Sequence, residues 1–237
     1  MRPDQRATDQ MRPVRITPNF LEYPEGSALI EMGGTRVICT ATMEEKLPQW
    51  LRNQGQGWVT AEYGMLPRST HERTPRETNF PRGRTQEIRR MIGRSLRSAV
   101  ELRLLGERLI TVDCDVIQAD GGTRTASVTA GYIALAIALR KMIRTGALPP
   151  GVLRTQVAAI SVGVVQGEAL LDLSYEEDNQ AEVDFNVVMN GLGEFVEVQG
   201  TAEGAPFVRD RLDELLALAD KGIKELLKIQ QQALKAD

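Results

Sequence analysis

The chain has 237 residues, 42% of them hydrophobic and 26% charged, with a formal net charge of −3. That length suffices for a sizeable core in one large domain or two small ones, and the composition is not that of a disordered or collagen-like chain. Two cysteines without metal-type spacing, a single histidine in a polar segment, and a longest uncharged apolar stretch of only Ala126 to Leu139 argue against a zinc module, a histidine-based hydrolase and a membrane span.

The N-terminal run Met1-Arg2-Pro3-Asp4-Gln5-Arg6 is polar and carries no secretory pattern. Short β runs follow at Val14–Phe20, Ser27–Met32 and Arg36–Met43. Turn signals at Pro24-Glu25-Gly26 and Gly33-Gly34 separate them and predict a meander. A fourth strand is predicted at Gly57–Leu66, then a polar, Arg-rich loop from Pro67 to Gly83. Arg84 to Leu105 reads as one helix, because Ile88, Ile92, Leu96, Ala99 and Leu102 recur at three- and four-residue steps. Arg90, Arg94 and Arg97 share a different face of it. A strand at Leu109–Ala119 leads through Gly121-Gly122 into a helix at Ala126–Arg144, apolar on all sides and closed by Gly146. Cys39 and Cys114 each fall inside an apolar strand and read as reduced core residues.

The second half repeats the style. Strands are predicted at Gln156–Val165, Ala169–Leu173, Glu182–Met189 and Phe195–Gly200. An amphipathic helix from about Asp210 to Lys235 ends the chain. Strand clusters followed by helices, twice over, predict an α+β fold with helices layered on sheets. No long linker divides the halves, so residues 1–237 read as one unit.

Charge is concentrated. Residues 68 to 108 hold eleven arginines, no lysine and five glutamates, a local excess of six positive charges on an acidic chain. Arginine suits phosphates and carboxylates gripped in fixed geometry, so this stripe fits a local polyanion site, while a solvated helix face or a subunit interface accounts for part of it.

The run Asp120-Gly121-Gly122-Thr123-Arg124 sits between a strand and a helix. Paired glycines let the backbone come close to a bound group, and the free amides of a helix start attract anions, phosphate above all. Thr123 adds a hydroxyl and Arg124 a planar fork. The same run also reads as a plain strand-to-helix turn with a Thr cap. Further on, Asp178 and Asp184 could flank one turn and point at a common spot, with Glu182 on the same strand face as Asp184. Such a pair can hold Mg²⁺ or protonate a leaving oxygen, or it is simply an acidic solvated loop.

Together these pieces closely resemble the ribonuclease PH family over nearly the whole chain. The resemblance rests on Met1-Arg2-Pro3 with Arg12-Pro13, Pro24-Glu25-Gly26-Ser27, the run Gly57 to Arg68, Gly83-Arg84-Thr85, Asp113 to Asp120 with the glycine turn, Tyr175 to Asp184, and Glu197-Val198-Gln199-Gly200-Thr201. It implies duplicated strand-cluster-plus-helix units in two-layer packing, of the ribonuclease PH and ribosomal protein S5 domain 2-like type. It implies phosphorolysis: inorganic phosphate as co-substrate removes 3′-terminal nucleotides from tRNA precursors and other RNA 3′ ends as nucleoside diphosphates, in the cytoplasm.

Carried over by position, the phosphate ligands are Arg84, Gly122, Thr123 and Arg124. The catalytic or Mg²⁺-linked carboxylates are Asp178 and Asp184. The tRNA-binding arginines are Arg68, Arg73 and Arg76. Relatives form a homohexamer, a trimer of dimers, which would place Arg90 at an interface, and no membrane is involved. Where relatives carry a Gly- and Lys-rich loop tip, this chain has Thr78-Asn79-Phe80-Pro81.

Two rivals stand beside this reading. A non-catalytic RNA-binding ring subunit of an exosome-like assembly would tend to lack the phosphate arginines and acidic pair found here. A small-molecule phosphotransferase would be expected to carry a Walker-type motif, and none occurs.

Overall fold

The computed structural model of the chain describes residues 2–77 and 83–235. The loop tip Thr78-Asn79-Phe80-Pro81 and Arg82 of the arginine stripe lie outside them. Strands β1 (Val14–Pro18), β2 (Gly26–Met32) and β3 (Thr35–Glu44) form the expected meander. Strands β4 (Trp58–Met65) and β5 (Leu109–Gln118) complete a five-stranded sheet in the order β1-β2-β3-β5-β4, in which β4 and β5 run parallel. The second sheet, in the order β7-β6-β8-β9, is built from β6 (Val157–Val165), β7 (Glu168–Leu171), β8 (Val183–Asn190) and β9 (Phe195–Ala202) and is antiparallel throughout.

Helix α1 (Gly83–Ser98) packs on β4, and α3 (Thr123–Arg144) packs on β2, β3 and β5. The other side of α3 meets β6, while α5 (Arg209–Ala233) covers β6, β7 and β8 from the opposite face. Strand β6 is buried along almost its whole length for this reason. Val157 and Ala159 join the core around α3, whereas Ala158, Ile160 and Val162 join the core under α5. The architecture is the predicted pair of strand-cluster-plus-helix units, with α3 enclosed between the two sheets. At 22 residues α3 is long and apolar enough to cross a membrane by composition, but it is a buried core helix in this fold.

One predicted element is split. The helix expected from Arg84 to Leu105 ends at Ser98, and α2 (Leu102–Leu105) is a separate turn. Between them the Glu101 amide donates to the Val152 carbonyl and the Arg154 amide to the Ala99 carbonyl. These tertiary bonds extend the backbone where the apolar spacing alone would carry a helix on. Cys39 and Cys114 are buried free thiols, directly opposed across β3 and β5 with sulfurs 3.5 Å apart.

The N-terminal segment is held by ion pairs out of contact with water. Arg2 Nε donates to Glu177 Oε1 at 2.7 Å, and both side chains are only 3% exposed. Arg12 donates from Nε and Nη2 to the two oxygens of Asp172, at 2.9 and 2.7 Å. Removing one partner of such a pair strands the other charge. Arg12→Ala is therefore expected to lower stability by about 3–5 kcal/mol, read as a lower urea midpoint.

Candidate active site

Strand β5 delivers the chain to Asp120-Gly121-Gly122, and α3 begins at Thr123, three residues before the start its apolar run predicts. Thr123 and Arg124 therefore sit in the first helical turn. Gly121 and Gly122 have φ of 73° and 64°, left-handed backbone that glycine adopts without a Cβ penalty. The amides of Gly122, Thr123 and Arg124 meet no acceptor among the described residues. They are the orphan donors of a helix start, aimed where an anion is favoured. The Thr123 hydroxyl is fixed by the phenol of buried Tyr63 on β4, 2.9 Å away.

The second half of the chain reaches the same place through Gly121. A Cβ there would lie 2.4 Å from the Leu173 carbonyl and 2.8 Å from the Tyr175 amide. Only glycine lets residues 173–175 pass this close to the turn. They lead into α4 (Tyr175–Asp178), a single helical turn with a capping box. Glu177 accepts from the Ser174 amide at 2.9 Å and is gripped by Arg2. Asp178 is the last residue of that turn. Asp184 stands on β8, flanked in register by Gly163 of β6 and Thr201 of β9.

Arg84 and Arg124 both act electrostatically on the two carboxyls. Burial, reinforced by the neighbouring charge of Asp178, pushes the Asp184 carboxyl up to about 6, and Arg124 and Arg84 oppose the rise. Desolvation also raises Asp178, although its residue surface is exposed, and the same two arginines pull it back. Arg84 and Arg124 act on Tyr63 as well. A carboxyl pair, two guanidiniums and the phenol behind the helix tip thus share one field.

Arg124 is held in a clamp. Its Nη1 donates to Gln199 Oε1 at 2.9 Å and to Glu87 Oε1 at 3.3 Å, and Gln199 Nε2 donates to the same Glu87 oxygen. Gln199 and Glu197 share one face of β9, and Glu197 takes Arg94 at 2.7 Å. Gly200, the next residue along β9, faces the ring of Phe185, which a Cβ would penetrate at 2.3 Å.

Arg76 and Arg84 line one cavity of about 400 Å³, together with Tyr63, Arg89 and Asp115. Arg68, Arg73 and Arg76 are all exposed, and Arg68 donates to the His71 carbonyl at 2.7 Å. Other arginines of the stripe serve structure: Arg89 pairs with Glu62, and Arg97 lies 4.4 Å over the Trp58 ring. Arg90 is exposed on α1.

Glu182, of the same parity as Asp184, is engaged outside the site. Strand β8 starts at Val183, and Glu182 instead accepts from the Gly167 amide at 3.2 Å. No group of three His, Cys, Asp or Glu side chains suited to a metal occurs among the described residues. A divalent cation would rest on Asp178 and Asp184, with water and substrate phosphate completing its shell. Two carboxyls whose ionisation is disfavoured by burial, and at Asp184 also by the charge of Asp178, are a donor set that a hard dication relieves, so these residues fit Mg²⁺.

Glu87, Gln199, Tyr63 and Glu177 were not foreseen as parts of the site. For Glu177 a signal exists, since Ser174-Tyr175-Glu176-Glu177 has capping-box spacing. The other three reach the site only through tertiary packing.

Two family models match the chain. The 3′ exoribonuclease family, domain 1, matches residues 10–141, and domain 2 of the same family matches residues 155–222. Among solved structures, rice (Oryza sativa) Rrp46 is similar at a TM-score of 0.78 and 20% identity, over 98% of this chain and 100% of that one. A chain of an archaeal exosome core has a TM-score of 0.76 and 24% identity, over 96% of this chain and 90% of that one. A chain of the Archaeoglobus fulgidus exosome with RNA bound to the active site has a TM-score of 0.77 and 24% identity, over 95% and 91% respectively.

Proposed function

Since the chain belongs to the 3′ exoribonuclease family, we propose that it shortens RNA 3′ ends by phosphorolysis, with tRNA precursors as its principal substrates. One observation supports this reading: Arg84 and Arg124, the latter in the first turn of α3, both lie within electrostatic reach of Asp178 and Asp184. Phosphorolysis needs that combination. An orthophosphate oxygen attacks the phosphorus of the terminal phosphodiester, and the bond from that phosphorus to the 3′ oxygen of the preceding nucleotide breaks. A nucleoside 5′-diphosphate leaves, and the RNA, one residue shorter, regains a 3′ hydroxyl. Nucleotide addition from diphosphates is the same step reversed.

Two anions must meet, so repulsion is the main obstacle. Arg84, Arg124, the Gly122 and Thr123 amides and the Thr123 hydroxyl bind and orient the attacking phosphate. Asp184, which keeps its proton to about pH 6, donates it to the departing 3′ oxygen. Burial keeps that proton on, and the charge of Asp178 reinforces the effect. With Asp184 ionised, Mg²⁺ held by Asp178 and Asp184 would be the alternative to this proton donor, stabilising negative charge on the scissile group. Arg68, Arg73 and Arg76 hold the RNA backbone outside the pocket. The likeness to exosome chains supports assembly into a ring, here read as a homohexamer in the cytoplasm.

The test is incubation with a tRNA bearing extra 3′ nucleotides, with and without phosphate. Nucleoside diphosphate release only when phosphate is present is the expected result. RNA binding without cleavage under both conditions would instead favour a non-catalytic ring subunit.

A further inference from the structure

The buried hydroxyl of Thr35 bridges the Asp120 amide and the Gly121 carbonyl, the two ends of that dipeptide, from behind. Thr35 opens β3 directly after the Gly33-Gly34 turn and has no exposed surface. Its Oγ1 accepts from the Asp120 amide at 2.9 Å and donates to the Gly121 carbonyl at 2.6 Å. Arg12 reaches the same turn alongside it. Its Nη1 donates to the Asp120 carbonyl, and its Nη2 lies 3.5 Å from the Gly121 carbonyl. Asp172 anchors Arg12 through its side chain and through the Arg12 amide at 2.8 Å.

These bonds decide where the turn's donors point. A trans peptide is planar, with its C=O and the following N–H on opposite sides. Holding the Gly121 carbonyl inward on Thr35 therefore aims the Gly122 amide outward, into the space flanked by Thr123 and Arg124. Holding the Asp120 carbonyl on Arg12 does the same for the Gly121 amide. The restraint matters because glycines can rotate their peptide planes at little cost. Without it, a carbonyl oxygen could turn toward the anion in place of an N–H. The Gly122 amide has no acceptor among the described residues, in agreement with an outward orientation.

The geometry points to Thr35 as a positioning residue for the attacking phosphate: its hydroxyl locks the Gly121–Gly122 peptide in the orientation that presents an N–H to the oxyanion. This assignment rests on the reading of the glycine turn as the phosphate site. Thr35 touches neither phosphate nor RNA. Its loss should appear in the phosphate dependence of the reaction and not in RNA affinity.

The experiment compares wild type, Thr35→Val and Thr35→Ser in phosphorolysis of a 3′-extended RNA, with phosphate and RNA varied separately. Thr35→Val keeps the shape and removes the bridge. Its KM for phosphate is expected to rise about tenfold, with kcat at saturating phosphate and KM for RNA within about threefold of wild type. Thr35→Ser keeps the hydroxyl and should restore the wild-type phosphate KM. Should Thr35→Val yield no folded protein, Thr35→Ala carries the same comparison. An unchanged phosphate KM without the hydroxyl overturns the inference, as does a Thr35→Ser variant as impaired as Thr35→Val. A wild-type enzyme whose RNA shortening ignores phosphate overturns the phosphate site itself, and this inference with it.

Discussion

Replacing Asp184 by Asn is expected to lower turnover by about 10²–10⁴-fold while RNA binding stays close to wild type. The side chain keeps its shape but has no acidic proton for the departing oxygen. The same substitution should make the protein more stable. In the folded state this carboxyl titrates near 6, against 3.8 for the ordinary group. Between those values the folded chain binds more protons than the unfolded one, so stability falls as pH rises through the interval and stays low above it. An amide does not ionise and escapes that loss. Above pH 6, with a chelator present, Asp184→Asn should exceed wild type by about 1–2 kcal/mol in urea denaturation, the shift being discounted for solvent at the open side of the site. The gap should vanish below about pH 3, where this carboxyl is neutral in both the folded and the unfolded wild type. Adding Mg²⁺ should also narrow it, by stabilising wild type alone. Unaltered turnover would remove Asp184 from the chemistry, and a less stable variant at pH 7 would contradict the field described around it.

The second large effect concerns Arg84 and Arg124, the arginines proposed to hold phosphate. Arg124→Ala and Arg84→Ala should each raise the KM for phosphate by about 10–150-fold, the range of losing a charge-assisted hydrogen bond worth about 1.5–3 kcal/mol. The two should differ in kind. Arg124 is already fixed by Gln199 and Glu87 before any anion arrives, so little side-chain freedom is lost when it binds. Its removal also leaves Glu87 unneutralised beside the pocket. Arg84 stands exposed at the start of α1. Arg124→Ala should therefore be the more damaging, and high phosphate should recover more of the rate in Arg84→Ala. Initial rates over a wide phosphate range decide this, and unchanged saturation in both variants would place the anion elsewhere.

The fold was largely legible because its signals are local. Turn dipeptides at Gly33-Gly34 and an apolar run at Val157–Val165 mark a hairpin and a doubly covered strand without reference to the rest of the chain. The long α1 failed where a distant segment took over its hydrogen bonds: nothing near Ala99 announces that Val152 and Arg154 will bond there. The site divides along the same line. Arg84, Gly122, Thr123, Arg124, Asp178 and Asp184 were nominated as motif members, and their convergence could only come from packing. Tyr63, Glu87, Gln199 and Thr35 are ordinary residues in ordinary strands and helices. They acquire a role because β4, α1, β9 and β3 happen to end beside one helix tip.

Helix α3 also acts as a rod. Its 22 residues span about 33 Å at 1.5 Å each, and sheets grip it on both sides for most of that distance. Near its far end Arg140 ties it to the Leu234 carbonyl at 2.9 Å. Midway, a methyl group on Gly26 would strike the Ala134 carbonyl at 2.1 Å. A helix so confined yields to crowding by sliding lengthwise, and any slide displaces its Gly122–Arg124 tip by the same amount. Substitutions deep in the interior, remote from every reacting atom, should then surface first as defects in speed, well before the protein loosens or melts.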